Sequence, residues 1–188
     1  MNTPIVSFYR DILGKTFFSD SAKAMEAKCE ELGIPHYIKS RDYGSTWRDN
    51  VRGKPTFLLE TFDTLQKPFL WVDIDSIIGA VPDEVDSYTD VDFASVAGRV
   101  LKVMDCTHYV GTSPLTRELL VEWKERCDKQ VELAKRKRGC RAGSHGALNR
   151  ILTSKKYQTE LNFKFLPLSY GRGPVIKLNG GGHIRRFS

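Results

Sequence analysis

Phe69-Leu70-Trp71-Val72-Asp73-Ile74-Asp75-Ser76 is the stretch that decides the fold. Four apolar residues in a row behind Pro68 read as a strand covered on both faces, because a half-exposed strand would alternate. The run stops abruptly at two carboxylates. In extended backbone, residues i and i+2 face the same side, so Asp73 and Asp75 are expected to converge just past the strand. Two neighbouring carboxylates repel each other, and at a buried edge they need a cation or donors to compensate. A hard divalent ion, Mn²⁺ or Mg²⁺, suits such oxygen ligands and keeps positions open to phosphate oxygens. A diphosphate bridged by the metal is the substrate piece this implies. The alternative is a polar turn whose aspartates cap the amides of residues 76–78.

Outward from this strand the chain alternates between the two periods. Residues 5–9 behind Pro4 read as a first strand. Ser19-Asp20-Ser21 offers capping side chains for a helix to Leu32, stopped by Gly33 and Pro35. Residues 36–39 read as a second strand and 41–53, polar with two glycines, as a loop. Lys54-Pro55 opens the next helix, with proline at its first position, running to about Gln66. Strands are expected at 92–97, 107–111, 163–166 and 174–178. Between them lie a long helix from Ser113-Pro114, with apolar residues at helical spacing from Leu115 to Ala134, and a shorter one over 145–153. Strands alternating with helices predict an α/β fold with a mostly parallel central sheet flanked by helices. Ligands of such sheets sit beyond the carboxyl ends of the strands.

Composition agrees with a folded chain. Of 188 residues, 40% are hydrophobic and 28% charged, which excludes wholesale disorder. No apolar run is long enough to span a bilayer, and the first residues, MNTPIVSFYR, lack the pattern of a secretory signal, so a cytoplasmic location is expected. Lys and Arg outnumber Asp and Glu by 29 to 23, a net charge of +6 that suits an anionic partner. Cys29, Cys106, Cys127 and Cys140 are far apart, without a CxxC pair, and read as reduced thiols.

The stretch Lys54-Pro55-Thr56-Phe57-Leu58-Leu59-Glu60-Thr61-Phe62, followed by Pro68 to Asp75, resembles the nucleotide-sugar-dependent glycosyltransferases of the GT-A fold with a DxD motif. Asp90-Val91-Asp92-Phe93-Ala94, the strand over 107–112, the helix through Trp123 and Gly143-Ser144-His145-Gly146-Ala147-Leu148-Asn149 resemble that family in the same order. The size is similar to compact members, including some from large DNA viruses. The resemblance implies one GT-A-like (Rossmann-like) domain, residues 1–188, with a nucleotide-binding part over about 1–76 and an acceptor side over about 77–188. It implies transfer of a sugar from a nucleoside-diphosphate sugar, with UDP the family's usual nucleotide, to a hydroxyl acceptor such as a glycan, with Mn²⁺ or Mg²⁺ as cofactor. By position, Asp73 would face ribose and metal, Asp75 would ligate the metal, and His183 after Gly180-Gly181-Gly182 would be a third ligand. Ser7, Phe8, Tyr9 and Arg10 would hold the base, Arg41 and Tyr43 would close over it, Lys54 would reach base or phosphates, and Ile74 would belong to the same donor site. His108, Gly111 and Thr112 would line the acceptor side.

Many relatives carry an acid where Ser144-His145 stands, which leaves the base open among His145, Asp92 and Asp90; a retaining transferase needs none. Arg172, Lys177, Arg185 and Arg186 give the last twenty residues a basic surplus that would assist a departing diphosphate. Lys135-Arg136-Lys137-Arg138 ends the long helix, where its dipole favours cations, and no aromatic residues interleave it, so no nucleic acid partner is expected. Two other classes remain. A haloacid-dehalogenase-like phosphotransferase also places DxD after an apolar strand, but near the start of its chain. A non-catalytic nucleic-acid-binding domain fits the charge and leaves Asp73 and Asp75 without a purpose.

Overall fold

The structure, a computed structural model, describes residues 1–12, 14–44, 46–98, 103–136 and 143–178. Its strands are β1 Ile5–Tyr9, β2 His36–Ser40, β3 Phe69–Val72, β4 Ser76–Ile78, β5 Phe93–Ala97, β6 Val103–Val110, β7 Phe163–Leu166 and β8 Ile176–Leu178. The helices are α1 Phe17–Glu31, α2 Trp47–Leu65, α3 Pro114–Arg136, α4 Ser144–Leu152 and α5 Lys155–Glu160. Six strands form one sheet in the order β2-β1-β3-β6-β5-β7, and β4 and β8 form a separate ribbon. Strand β6 runs antiparallel to both its neighbours, whereas β1 pairs in parallel with β2 and β3, and β5 with β7. The expected mostly parallel α/β sheet is therefore present, with one strand reversed.

Strand β3 shows why its sequence is apolar throughout. Leu70 and Val72 join a core that includes Ala22, Met25 and Cys29 of α1. Phe69 and Trp71 join a second core with Phe57 and Leu58 of α2, Leu119, Leu120 and Trp123 of α3, and Leu148 of α4. Alternate residues thus serve opposite faces, and helices cover both. Both cores meet in β3, the strand that delivers Asp73.

Local signals explain most boundaries. Helix α1 begins at Phe17, two residues ahead of the expected cap, because Asp11 Oδ1 accepts from the Phe18 and Ser19 amides. It ends at Gly33, whose φ of +64° suits glycine. Helix α2 is the main departure. It starts at Trp47 rather than Lys54, because Thr46 and Asp49 form a reciprocal capping box, and Pro55 lies inside the helix. The box turns half the expected loop into helix and moves Lys54 from a helix entry to mid-helix. Strand β6 begins at Val103, four residues before its expectation, and α5 and β4 had no clear sequence signal.

Gly111 closes the end of β6 remote from Asp73. Its amide donates to Asp92 O at 2.8 Å, and a Cβ there would lie 2.3 Å from Val91 O. Both neighbours are backbone, so Gly111→Ala forces a strand shift. Overpacking of this kind costs about 1–3 kcal/mol, a melting-temperature drop of roughly 2–12 °C at this size. Thermal unfolding by circular dichroism checks it; an unchanged melting temperature would show that the β5–β6 edge yields freely. Among the described residues, no helix is long and apolar enough to cross a membrane.

Candidate functional site

The parallel register of β1, β2 and β3 brings their carboxyl ends to one edge, and antiparallel β6 starts there. Asp73 follows β3, and its amide donates to Cys106 O at 2.8 Å, which locks it beside the start of β6. The backbone then turns: Ser76 N donates to Asp73 O at 2.9 Å, closing a four-residue turn over 73–76. The extended geometry expected for Asp73 and Asp75 is thereby corrected. The two carboxylates still interact, because the Asp75 charge contributes to raising the pKa of Asp73. Within the turn, the Ile74 side chain is buried and packs into the core with α1 rather than opening towards a ligand.

Lys54 is the centre of the cluster. It is only 5% exposed, and its Nζ lies 2.7 Å from Asp73 Oδ1 and 3.2 Å from Asp105 Oδ1, while also donating to Asp105 O. Trp71 Nε1 donates to the same Asp73 oxygen at 3.1 Å, and the Lys54 ammonium sits 5.3 Å from the Trp71 ring centre. On the far side, His108 Nε2 lies 3.0 Å from Asp105 Oδ1 and His108 Nδ1 lies 2.9 Å from Ser95 Oγ. One continuous polar chain therefore runs Ser95–His108–Asp105–Lys54–Asp73–Trp71 through the carboxyl edge of the sheet.

The electrostatics of this chain are uneven. Burial and the neighbouring Asp105 and Asp75 charges outweigh Lys54 and push Asp73 up to about 7. Asp75 is also raised, chiefly by burial. Burial opposes ionisation of Asp105 as well, but Lys54 and His108 together hold its carboxyl down at about 2. The two carboxylates keep the Lys54 ammonium protonated against its burial, and burial lowers the pKa of His108. With all three acids ionised, three negative charges face one ammonium, a net −2. Asp73 is the member whose ionisation is poorly compensated.

That imbalance is the test of fit for a divalent cation. Asp73 Oδ1 is taken by Lys54 and Trp71; the second Asp73 oxygen and the Asp75 carboxylate remain as hard oxygen donors. Next to them Ser76 Oγ is buried without a hydrogen-bond partner in the protein. Oxygen donors of this kind are the type that a hard divalent cation takes, and its charge would offset the −2 the cluster carries when all three acids are ionised. Among the described residues, no group of three His, Cys, Asp or Glu side chains is arranged to hold a metal. His183, with Arg185 and Arg186, lies outside the described residues. Strand β8 ends at Leu178, which pairs with Ser76 beside Asp75; Arg172 and Lys177 are exposed on the same ribbon.

The remaining expected site residues divide by strand direction. Ser7, Phe8, Tyr9 and Arg10 end β1 at the Asp73 edge. The Ser7 hydroxyl donates to Val72 O at 2.7 Å, and Phe8 is packed against Phe57, Trp71 and Tyr43. Tyr9 is half-buried, and Arg10 pairs with Asp42. Tyr43 and Arg41 follow β2 at this edge; the Tyr43 hydroxyl donates to Glu60 at 3.1 Å, and Arg41 lies 3.8 Å from the same carboxylate. His145 stands exposed at the start of α4, close enough for its charge to bear on Asp105 and His108.

Three expectations are corrected by register. Val110 pairs with both Phe69 and Phe93, so Asp92, Gly111 and Thr112 sit at the opposite end of the sheet, about 13 Å from Asp73 along four residues of strand. There Asp92 Oδ2 accepts from the Asn162 amide at 2.8 Å, tying β5 to β7. It is a brace rather than a base. His108 is fully buried beneath the site rather than lining an acceptor surface. Asp105 was not singled out by the sequence; its signal is a lone acid three residues before a histidine in the otherwise apolar 103–110. Helix α3 ends at Arg136, and 137–138 of the basic run lie outside the described residues.

The fold is GT-A-like, shared with solved glycosyltransferases. The chain aligns with a glycosyltransferase involved in the glycosylation of the major capsid of PBCV-1, with a TM-score of 0.66 at 9% identity, over 99% of this chain and 98% of that one. It also aligns with GlyE of Streptococcus pneumoniae TIGR4 (TM-score 0.53, 12% identity, 90% of this chain and 46% of that one) and with the bifunctional WbbM (0.57, 10%, 89% and 39%). The chain thus spans under half the length of the latter two. No protein-family model matches the sequence, and no curated protein matches it.

Proposed function

We propose that the protein is a metal-dependent glycosyltransferase that moves a sugar from a nucleoside-diphosphate sugar, with a UDP-sugar as first candidate, to a hydroxyl acceptor such as a glycan. The observation that carries this reading is the three-acid, one-lysine cluster at the carboxyl edge of β3 in a glycosyltransferase fold, in which burial and its acidic neighbours raise Asp73 to about 7. Donors in open α/β sheets sit at that edge.

Asp73 and Asp75 are the residues that would hold Mn²⁺ or Mg²⁺, with His183 a candidate third ligand. The cation supplies Lewis-acid stabilisation of charge on the departing nucleoside diphosphate. Lys54 keeps Asp73 oriented through Oδ1 and holds a fixed positive charge within the cluster, ready to oppose anionic charge without reorganisation. Asp105 holds Lys54 in place. The ends of β1 and β2 frame the base side, with Phe8 and Tyr43 as a rigid aromatic wall rather than free stacking rings, because each is already packed. Asp90, two residues before Asp92 and bonded through its carbonyl to the Asn162 side chain, shares the far edge, which leaves His145 as the candidate for accepting the acceptor's hydroxyl proton. If transfer proceeds with inversion, His145→Ala is expected to cut kcat by about 10²–10⁴, the usual contribution of a general base, with donor binding unchanged.

The test is a panel of nucleotide sugars incubated with the protein and Mn²⁺, with release of nucleoside diphosphate followed by chromatography. One donor should be turned over by the wild type and not by Asp75→Ala or in EDTA. Hydrolysis of a generic phosphate ester without need of a nucleotide would favour a phosphotransferase instead. Tight, salt-sensitive binding to DNA or RNA that survives Asp75→Ala would favour a nucleic-acid-binding domain.

A further inference from the structure

We propose that His108, buried in the core and away from any substrate, is a positioning residue that fixes the donor-site lysine and, through it, Asp73. His108 lies on β6 opposite Trp71 and is fully buried. Its ring is clamped between Phe93, at 5.2 Å between ring centres, and Trp123, at 5.6 Å and nearly perpendicular. A ring held on two sides has little freedom, so its Nε2 is a fixed point. That point is 3.0 Å from Asp105 Oδ1, the oxygen that also faces Lys54 Nζ at 3.2 Å.

The partners assign the tautomer. Asp105 is ionised and only accepts, so Nε2 carries the proton and donates. The neutral ring then accepts at Nδ1 from the Ser95 hydroxyl, which also has Met104 O within 3.0 Å. Serine, histidine and aspartate in series resemble a nucleophilic triad, but Ser95 is fully buried and reaches no substrate. The arrangement works in the other direction, as an anchor: core packing fixes His108, His108 fixes Asp105, Asp105 fixes Lys54, and Lys54 fixes Asp73 Oδ1. Without the Nε2 donor, Asp105 keeps Lys54 as its charged partner but loses the contact that sets its orientation.

The inference rests on the donor-site reading only for its consequence, not for its geometry, and the experiment separates the two. His108→Phe keeps an aromatic ring between Phe93 and Trp123 and lets the Ser95 hydroxyl turn its proton to Met104 O, but removes the Nε2 donor. His108→Met is the alternative if the larger ring does not fit. His108→Gln restores an amide donor near the Nε2 position. The first readout is the ¹H–¹⁵N ammonium signal of Lys54, assigned by its absence in Lys54→Arg. Exchange with water is expected to quicken about tenfold or more in His108→Phe and His108→Met, and to return towards wild type in His108→Gln. The second readout is calorimetric binding of UDP with Mn²⁺, expected to weaken about tenfold in the Phe and Met variants and to recover in Gln. Lys54 exchange unchanged in both the Phe and Met variants overturns the proposal, as does a Gln variant no better than Phe. If wild type does not bind UDP with Mn²⁺, the donor-site reading fails, while the Lys54 signal still decides the anchor.

Discussion

Lys54→Met is expected to lower the melting temperature by roughly 6–20 °C. The ammonium is the charged partner shared by Asp73 and Asp105 at 2.7 and 3.2 Å, and the helix carrying it offers no substitute in methionine. Breaking a buried pair by removing one partner costs about 3–5 kcal/mol, because an uncompensated charge stays behind. At this chain length each kcal/mol is worth about 2–4 °C. The deficit should be larger at pH 8 than at pH 5, since at the lower pH the stranded carboxylates take up protons more readily. A melting temperature within a degree or two of wild type at pH 8 would mean that Lys54 is not the counter-ion of this cluster.

Asp73→Asn should act in the opposite sense on stability and far more strongly on ligand binding. Asparagine keeps an oxygen for Lys54 and Trp71 but removes the carboxylate whose pKa is raised to about 7 by burial and by its acidic neighbours. A group whose pKa is raised on folding lends stability that is full below its unfolded value, about 4, and lost as pH rises through about 7. In EDTA, therefore, wild type should lose ground to Asp73→Asn between pH 5 and pH 8, and the variant should melt higher at pH 8. Binding of a nucleoside diphosphate with Mn²⁺ should fall at least about 100-fold in the same variant, about 2.7 kcal/mol. Stability gained where function is lost is the pattern expected of an active-site carboxylate held against its own interest. If Asp73→Asn proved less stable than wild type at pH 8 in EDTA, the Asp73 carboxylate would not be the poorly compensated charge described above.

What was legible in the sequence depended on how local the signal was. The unbroken apolar run Phe69–Val72 announced a strand covered on both faces, and both cores indeed meet there. Pro114 opened α3 as expected, and 163–166 was read at its true bounds. Strand direction is a different matter: nothing in 103–110 announces that β6 runs backwards. That one reversal carries Gly111 and Thr112 to the far edge and brings Asp105 to the near one, whereas Asp92 sits at the far edge because it precedes β5, which runs parallel to β3. The sequence points to Lys54 as a donor-site residue at a helix entry. The capping box at Thr46 and Asp49, a polar pair three residues apart on either side of Trp47, sets it instead in the middle of α2 and under the sheet edge. The Asp73–Ser76 turn likewise follows from a single backbone bond that no side-chain pattern encodes.

The central claim is that the carboxyl edge of β3 binds a nucleoside diphosphate through a divalent cation held by Asp73 and Asp75. Calorimetric titration of UDP, GDP, ADP and CDP into the protein, with Mn²⁺ and again in EDTA, tests it most directly. The account predicts that at least one nucleotide binds with Mn²⁺, and that this binding is abolished in EDTA and in Asp73→Asn. Binding to none of the four, or binding indifferent to both the chelator and the substitution, would contradict it.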